Sequence, residues 1–186
     1  MAKIIVKTVK SNTLSIFYAF KRIFMKTLIL VRHGKSSWKY DLPDRDRPLK
    51  SRGITDATLV SEKFKERNIS PDRVISSPAN RAFSTCKIFL QNLNISDKLL
   101  EINDKVYDFG GHSVIEIIKG LNSNLDTVMF FGHNHAFTSI ANLFGDVYID
   151  NLPTSGLVVI SFDIDDWKDV HSGKTDLIIL PRDLKN

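Results

Sequence analysis

Short apolar runs alternate along this chain with longer stretches whose apolar residues recur every three or four positions. Leu28-Ile29-Leu30-Val31 predicts a core strand over 27–32, and similar runs predict strands over 73–76, 99–102 and 127–132. Ile54, Ala57, Leu59, Val60 and Phe64 share one helical face and predict a helix over 52–67. Further helices are expected over 78–92, 113–121 and 135–144. Ser77 is read as the cap of the second helix and Pro78 as its first residue, where a missing N–H costs nothing. Residues 41–48 form a polar, proline-containing loop and 68–72 a turn. Two last strands, 156–163 and 175–180, are joined by a polar loop and predict an antiparallel pair. Strand–helix alternation of this kind defines the α/β class. The expected architecture is a three-layer α/β/α sandwich, a mostly parallel sheet with an antiparallel C-terminal strand. In such sheets ligands bind beyond the carboxyl ends of the strands.

Composition adds few constraints. At 186 residues, 42% hydrophobic and 25% charged, the chain suits one globular domain. No run approaches the roughly 20 apolar residues of a membrane-spanning helix, so no membrane role is expected. The net charge of +5 is carried by the leader: Lys3, Lys7, Lys10, Lys21 and Arg22 fall within residues 1–24, which hold no acidic residue. Residues 25–186 are then neutral, and no nucleic-acid partner is inferred. Residues 1–24 read as a basic extension and 25–186 as the domain. A single cysteine, Cys86, excludes an internal disulfide framework and CxxC motifs, and a reducing, cytoplasmic location is expected.

Three predicted strands end in residues that carry chemistry. The first runs into Arg32-His33-Gly34, the fourth into Gly132-His133-Asn134, and the second into Ser76-Ser77-Pro78 with Arg81 just beyond. A lone histidine at a strand end is ordinarily structural, and a lone arginine in a first helical turn is ordinarily solvated. Together, on neighbouring strands, they would bring two imidazoles and two guanidinium groups to one sheet edge. Arg81 also faces the positive end of its helix, an unfavourable placement that a bound anion would reverse. The guanidinium fork suits phosphate oxygens, and Gly34 and Gly132 permit close backbone approach. His133-x-His135 has no Cys or carboxylate at ligand spacing, so no metal site is expected. His112 and His171 are read as solvated.

The segment Leu30-Val31-Arg32-His33-Gly34-Lys35-Ser36-Ser37-Trp38 resembles the histidine phosphatase superfamily, the phosphoglycerate-mutase-like proteins. The resemblance continues through Asp46-Arg47-Pro48-Leu49 with Arg52-Gly53, then Ser76-Ser77-Pro78 with Arg81, Ala82 and Thr85. It closes with Gly132-His133-Asn134 and Pro153-Thr154. The small size and Lys-Ser-Ser-Trp look most like the SixA-type phosphohistidine phosphatase branch. The resemblance implies a phosphoglycerate-mutase-like fold and His33 as a transiently phosphorylated nucleophile. It also implies a phosphate pocket of Arg32, Arg81 and His133, with no metal or other cofactor. Mutases and many acid phosphatases of the superfamily add a carboxylic acid that protonates the leaving oxygen. The matching region offers Glu101, Asp104 and Asp108, with no motif to choose among them. A P–N bond needs less help, since an imidazole can leave carrying its proton. His135 stands where this branch usually has proline.

Other phosphatase chemistries fail on spacing. Six positions after Cys86 lies Asn92 rather than the arginine of cysteine-based phosphatases, Asp163-Ile164-Asp165-Asp166 lacks the glycine and threonine of the aspartate-nucleophile motif, and no P-loop occurs. What the resemblance implies is hydrolysis of a phosphorylated substrate, a phosphohistidine-bearing protein in the first instance, and a monomer is expected. The alternatives are a small-molecule phosphomonoesterase of the same superfamily and a non-catalytic phosphate-binding adaptor.

Overall fold

The computed structural model describes residues 25–185. The expectation for residues 1–24 lies outside them. Six strands form one sheet: β1 (Met25–Arg32), β2 (Arg73–Ser76), β3 (Leu100–Ile102), β4 (Thr127–Gly132), β5 (Leu157–Asp163) and β6 (Lys174–Ile179). Their order is β3-β2-β4-β1-β5-β6. Pairings among β1 to β4 are parallel, whereas β5 runs antiparallel to both β1 and β6. This is the α/β fold expected, a mixed sheet with its reversal confined to the C-terminal strands.

Burial explains why the central strands read as unbroken apolar runs. Side chains alternate across a strand, and here both faces are covered. Leu28 and Leu30 of β1, with Val128 and Phe130 of β4, join one core layer, while Ile29, Val31, Met129 and Phe131 join the other. The first layer packs under α3 (His112–Lys119) and α4 (Asn134–Phe144) through Val114, Ile118, Phe137 and Ile140. The second packs under α1 (Ser51–Lys65) and α2 (Asn80–Leu93) through Val60, Phe64, Cys86 and Phe89. No helix among the described residues is long and apolar enough to cross a membrane.

One helix start differs from expectation. α2 begins at Asn80, with Ala79 at its cap and no side-chain cap hydrogen bond. Ser77 and Pro78 lie outside the helix; the Ser77 hydroxyl accepts the Ala79 N–H at 3.3 Å and has a second partner, described below.

The loop after β1 is clamped by backbone contacts. Ser36 bridges to Leu49, Ser37 N–H donates to Pro48 O at 2.8 Å, and Lys50 N–H donates to Lys35 O at 2.8 Å. The two glycines of the motifs meet here. A Cβ on Gly34 would lie 2.8 Å from the Gly53 carbonyl oxygen, and one on Gly53 would strike the backbone of Lys35. Their small size thus serves the approach of α1 to this loop. At Gly132 a Cβ would meet the Phe137 ring at 2.6 Å, so that glycine admits an aromatic of α4. Gly53→Ala is expected to destabilise the protein by about 1–3 kcal/mol, the usual range for overpacking. A lowered denaturant midpoint at unchanged slope would show it; an unchanged midpoint would mean that α1 is free to retreat.

Candidate active site

Sheet order brings the three strand ends together. β4 lies between β2 and β1, with Arg32 level with Gly132 and Ser76 level with Phe131. The ladder continues one residue past each strand: His33 N–H donates to Gly132 O at 3.0 Å and Ser77 N–H to Phe131 O at 2.9 Å. His33, His133 and Ser77 are thereby set side by side. Two side-chain ties hold the loop after β1. Gly34 N–H donates to Thr85 Oγ1 at 2.8 Å, and Thr85 Oγ1 donates to Arg81 O at 2.7 Å, joining the His33 loop to the first turns of α2. Ser155, in the left-handed region at φ 62°, donates its N–H to Arg32 O and His33 O at 3.2 Å each.

Arg81 occupies the centre. It is 1% exposed, and its Nε–H points to His33 Nε2 at 3.4 Å while Nη2 meets His133 Nδ1 at 3.4 Å. The two imidazole rings are 5.3 Å apart between centroids. His33 Nδ1 lies 2.8 Å from Gly34 O. A carbonyl only accepts, so Nδ1 carries the hydrogen and Nε2 presents its lone pair to the pocket. The same reasoning applies to His133. Its Nδ1 faces a guanidinium, which only donates, so its hydrogen sits on Nε2, 2.9 Å from Ser77 Oγ.

Both histidines are held neutral. Burial pushes His33 down to about 3, helped by the charges of His133, Arg81 and Arg32 against the opposing bond to Gly34. Burial likewise takes His133 down to about 3, with the charge of Arg81 next in importance. Burial lowers Arg32 to about 10, which leaves it charged at neutral pH. One Arg32 Nη donates to Leu152 O at 2.6 Å, while its Nε is buried without a hydrogen-bond partner. An orphan donor beside a pocket is a place where an anion fits.

Arg32, His33 and Arg81 line a cavity of about 360 Å³, with Lys35, Arg47 and Asn134 adding polar groups and Trp38 and Phe109 an aromatic rim, while His133 lies fully buried behind them. Arg47 stacks on the Trp38 ring at 3.4 Å from its centroid, while Trp38 remains 74% exposed. Phe109 packs against His133 at 4.8 Å between centroids. His135, on the first turn of α4, also lines the cavity. A larger depression of about 560 Å³ at the other end of β1 gathers Arg67, Asp126 and Asp176 but no histidine. Size alone is therefore a poor guide to the chemistry.

None of the three sequence-derived acid candidates lines the cavity. Glu101 pairs with Arg73 at 3.3 Å, and Asp104 pairs with Arg45 at 2.9 Å on the surface. Burial would raise the Asp108 carboxyl, but N–H donors from Gly111, Gly110, Val114 and Ser113 outweigh it and hold Asp108 below the usual range. Asp108 so serves the start of α3. The carboxylate that does line the cavity is Asp44, which sequence reasoning passed over as part of a polar loop. Ser77 was also missed as a site residue: its hydroxyl bonds His133 across the sheet, a contact no local pattern announces. Among the described residues no group of three or more His, Cys, Asp or Glu is placed to hold a metal ion.

Comparison with known proteins gives this arrangement a family. The family model for branch 1 of the histidine phosphatase superfamily matches residues 28–127, more than half of the chain, and the protein belongs to that family. Its fold is similar to that of the protein histidine phosphatase SixA complexed with tungstate (TM-score 0.72, 22% identity, covering 86% of this chain and 99% of that one). It is also similar to a putative phosphohistidine phosphatase SixA from Agrobacterium tumefaciens (TM-score 0.71, 23% identity, 84% and 98% covered). In sequence, an uncharacterized protein of Mycobacterium tuberculosis is 28% identical over 80% of this chain and 96% of its own length. A 2,3-bisphosphoglycerate-dependent phosphoglycerate mutase of Mesorhizobium japonicum is 32% identical over 53% of this chain and 48% of its own.

The lowered histidines fix a sign for acid behaviour. Unfolded, each imidazole takes a proton near 6.5; folded, only near 3. The unfolded chain binds more protons between those values, so stability is full above about pH 6.5 and declines as pH falls through that window. NMR is expected to show both imidazoles in their neutral forms from pH 8 down to 5, with His33 protonated at Nδ1. A midpoint near 6.5 for either ring would contradict the burial argument.

Proposed function

We propose that this protein is a phosphatase that forms a phosphohistidine at His33, and that its substrate is an N-phosphorylated histidine on a protein. The contact of Arg81 with both imidazoles, while Nε2 of His33 keeps its lone pair, is the observation that supports this reading. A phosphoryl group entering the cavity beside Arg81 would meet a nucleophile on one side and fixed donors around its equatorial oxygens. In the first step His33 Nε2 attacks phosphorus, the bond to the leaving group breaks, and the leaving group keeps that electron pair. In the second, water attacks phosphorus, the P–N bond breaks, and its electron pair returns to Nε2 as inorganic phosphate forms. Arg32 and Arg81 are assigned to the phosphoryl oxygens, and His133, whose hydrogen is directed to Ser77, to holding Arg81 beside them through Nδ1.

The choice of substrate rests on protons. His33 and His133 are neutral at pH 7, and Asp44, described below, is ionised. None of these three groups then stands ready to protonate an alkoxide. A protonated phosphohistidine imidazole leaves as neutral imidazole, its second nitrogen already carrying a proton, and needs no such acid. The name phosphohistidine phosphatase borne by SixA proteins of similar fold agrees with this class. The likeness to a phosphoglycerate mutase motivates the small-molecule alternative. A monomer in a reducing cytoplasm suits a pocket built within one chain and a buried free Cys86.

A panel of phosphohistidine peptide, sugar phosphates and an aryl phosphate tests the reading. The peptide is expected to turn over best, with EDTA without effect and acid-labile label trapped on His33. His33→Ala is expected to abolish both turnover and label, and Arg81→Ala to cost on the order of 10²-fold or more. Preference for a sugar phosphate would replace the substrate class, and unlabelled His33 would remove the mechanism. Ser77→Ala leaves His133 Nε2 without its partner and is expected to lower kcat/KM on the order of tenfold, the scale of one lost buried hydrogen bond. Ser77→Thr, which keeps the hydroxyl, should restore most of it; equal loss in both variants would point to packing instead.

A further inference from the structure

Arg81 is already engaged with a carboxylate where a phosphoryl group would need it. Its Nη1 donates to the main-chain oxygen of Asp44, and its Nη2 donates to Asp44 Oδ2 at 2.8 Å. The same Oδ2 accepts the Tyr107 hydroxyl at 2.6 Å, and Oδ1 meets Arg47 Nη2 at 2.7 Å. Asp44 thus engages both terminal nitrogens of Arg81, one with its carboxylate and the other with its main-chain oxygen. Burying the Arg81 charge without such a partner would be costly, so an unliganded pocket benefits from one.

A phosphoryl group on His33 Nε2 would lie beside Arg81 Nε and would compete with Asp44 for both terminal nitrogens. The local structure permits that. Asp44 opens a single 3₁₀ turn (Asp44–Asp46) that contains no buried residue, and its side chain is 40% exposed. Arg47 and Tyr107 offer the carboxylate places to remain when Arg81 is withdrawn. Burial tends to raise the Asp44 carboxyl, but its bonds to Tyr107 and Arg81 prevail and hold it ionised.

We infer that Asp44 is a built-in counter-anion that competes with phosphate for Arg81, moving off when the phosphoryl group arrives and returning to help displace inorganic phosphate. The inference concerns the pocket assigned above and extends that reading to product release. A pocket with Arg32, Arg47, Arg81 and Lys35 around one anion would otherwise hold its dianionic product.

Calorimetric titration with inorganic phosphate tests this without requiring turnover. Asp44→Asn and Asp44→Ser are each expected to bind phosphate about tenfold more tightly than the unaltered protein. Asp104→Asn, which removes a surface charge outside the cavity, should not. A crystal structure with phosphate should show both Arg81 terminal nitrogens on the ion and Asp44 displaced. Unchanged or weaker phosphate binding in both Asp44 variants would overturn the inference, since Asp44 would then be holding Arg81 ready for phosphate. An Asp44–Arg81 pair intact in the complex would overturn it too, as would equal tightening in Asp104→Asn. Failure of the phosphatase reading is separate: it would appear as absent turnover and unlabelled His33 whatever the titrations gave.

Discussion

A buried guanidinium wedged between two imidazoles is the constraint around which the carboxyl edge of this sheet is arranged. An arginine at 1% exposure is tolerable only when its donors are met, and Arg81 finds His33, His133 and Asp44. Its charge in turn keeps the two histidines neutral, reinforcing what burial begins. The tautomers follow as well. Gly34 O takes the hydrogen of His33 at Nδ1, and Arg81 leaves His133 no choice but to carry its hydrogen toward Ser77. Removing the cation would therefore alter protonation and orientation together, not only the count of positive charges.

The precision of that arrangement comes from backbone pairing. Parallel β2, β4 and β1 end within one residue of the same level, and one further ladder hydrogen bond beyond β1 and one beyond β2 fix the first residue of each following loop. The strands are immobilised by apolar layers on both faces, with Phe131 and Met129 on one side and Phe130 and Val128 on the other. Thr85 then ties α2 to the His33 loop, so Arg81 and His33 cannot shift independently. The site is buried where it would meet phosphorus and more exposed at its rim, where Trp38 and the Asp44 turn face solvent.

Much of this was legible in the sequence because it is encoded locally. The runs around Leu30 and Phe130 announce buried strands, and the residues directly following them, His33 and His133, inherit their position from strand pairing. Arg81 was visible as a cation at the wrong end of a helix. What stayed hidden depends on contacts between distant segments. Ser77 before Pro78 carries every local sign of a helix cap, yet its hydroxyl meets His133, 56 positions away, as well as the Ala79 N–H, and α2 starts later without a side-chain cap. Asp44 looks like one more acid in a polar loop until the fold sets it against Arg81. The carboxylates of 101–108 drew notice through their place in a family pattern, but in this chain they serve surface pairs and the start of α3.

The placement of acids bears on the class of bond this pocket could break. A carboxylate gripped by Arg81, Arg47 and Tyr107 is stabilised as an anion and is a poor source of protons. Two imidazoles with depressed basicity are equally poor sources near neutrality. Alkyl phosphates demand a proton on the departing oxygen, which none of these three groups is placed to give. Phosphorus bound to an imidazole nitrogen makes no such demand. The electrostatics that let Arg81 and its neighbours receive an oxyanion are thus the same electrostatics that withdraw acid catalysis, and on the proposed reading substrate preference follows from that single compromise.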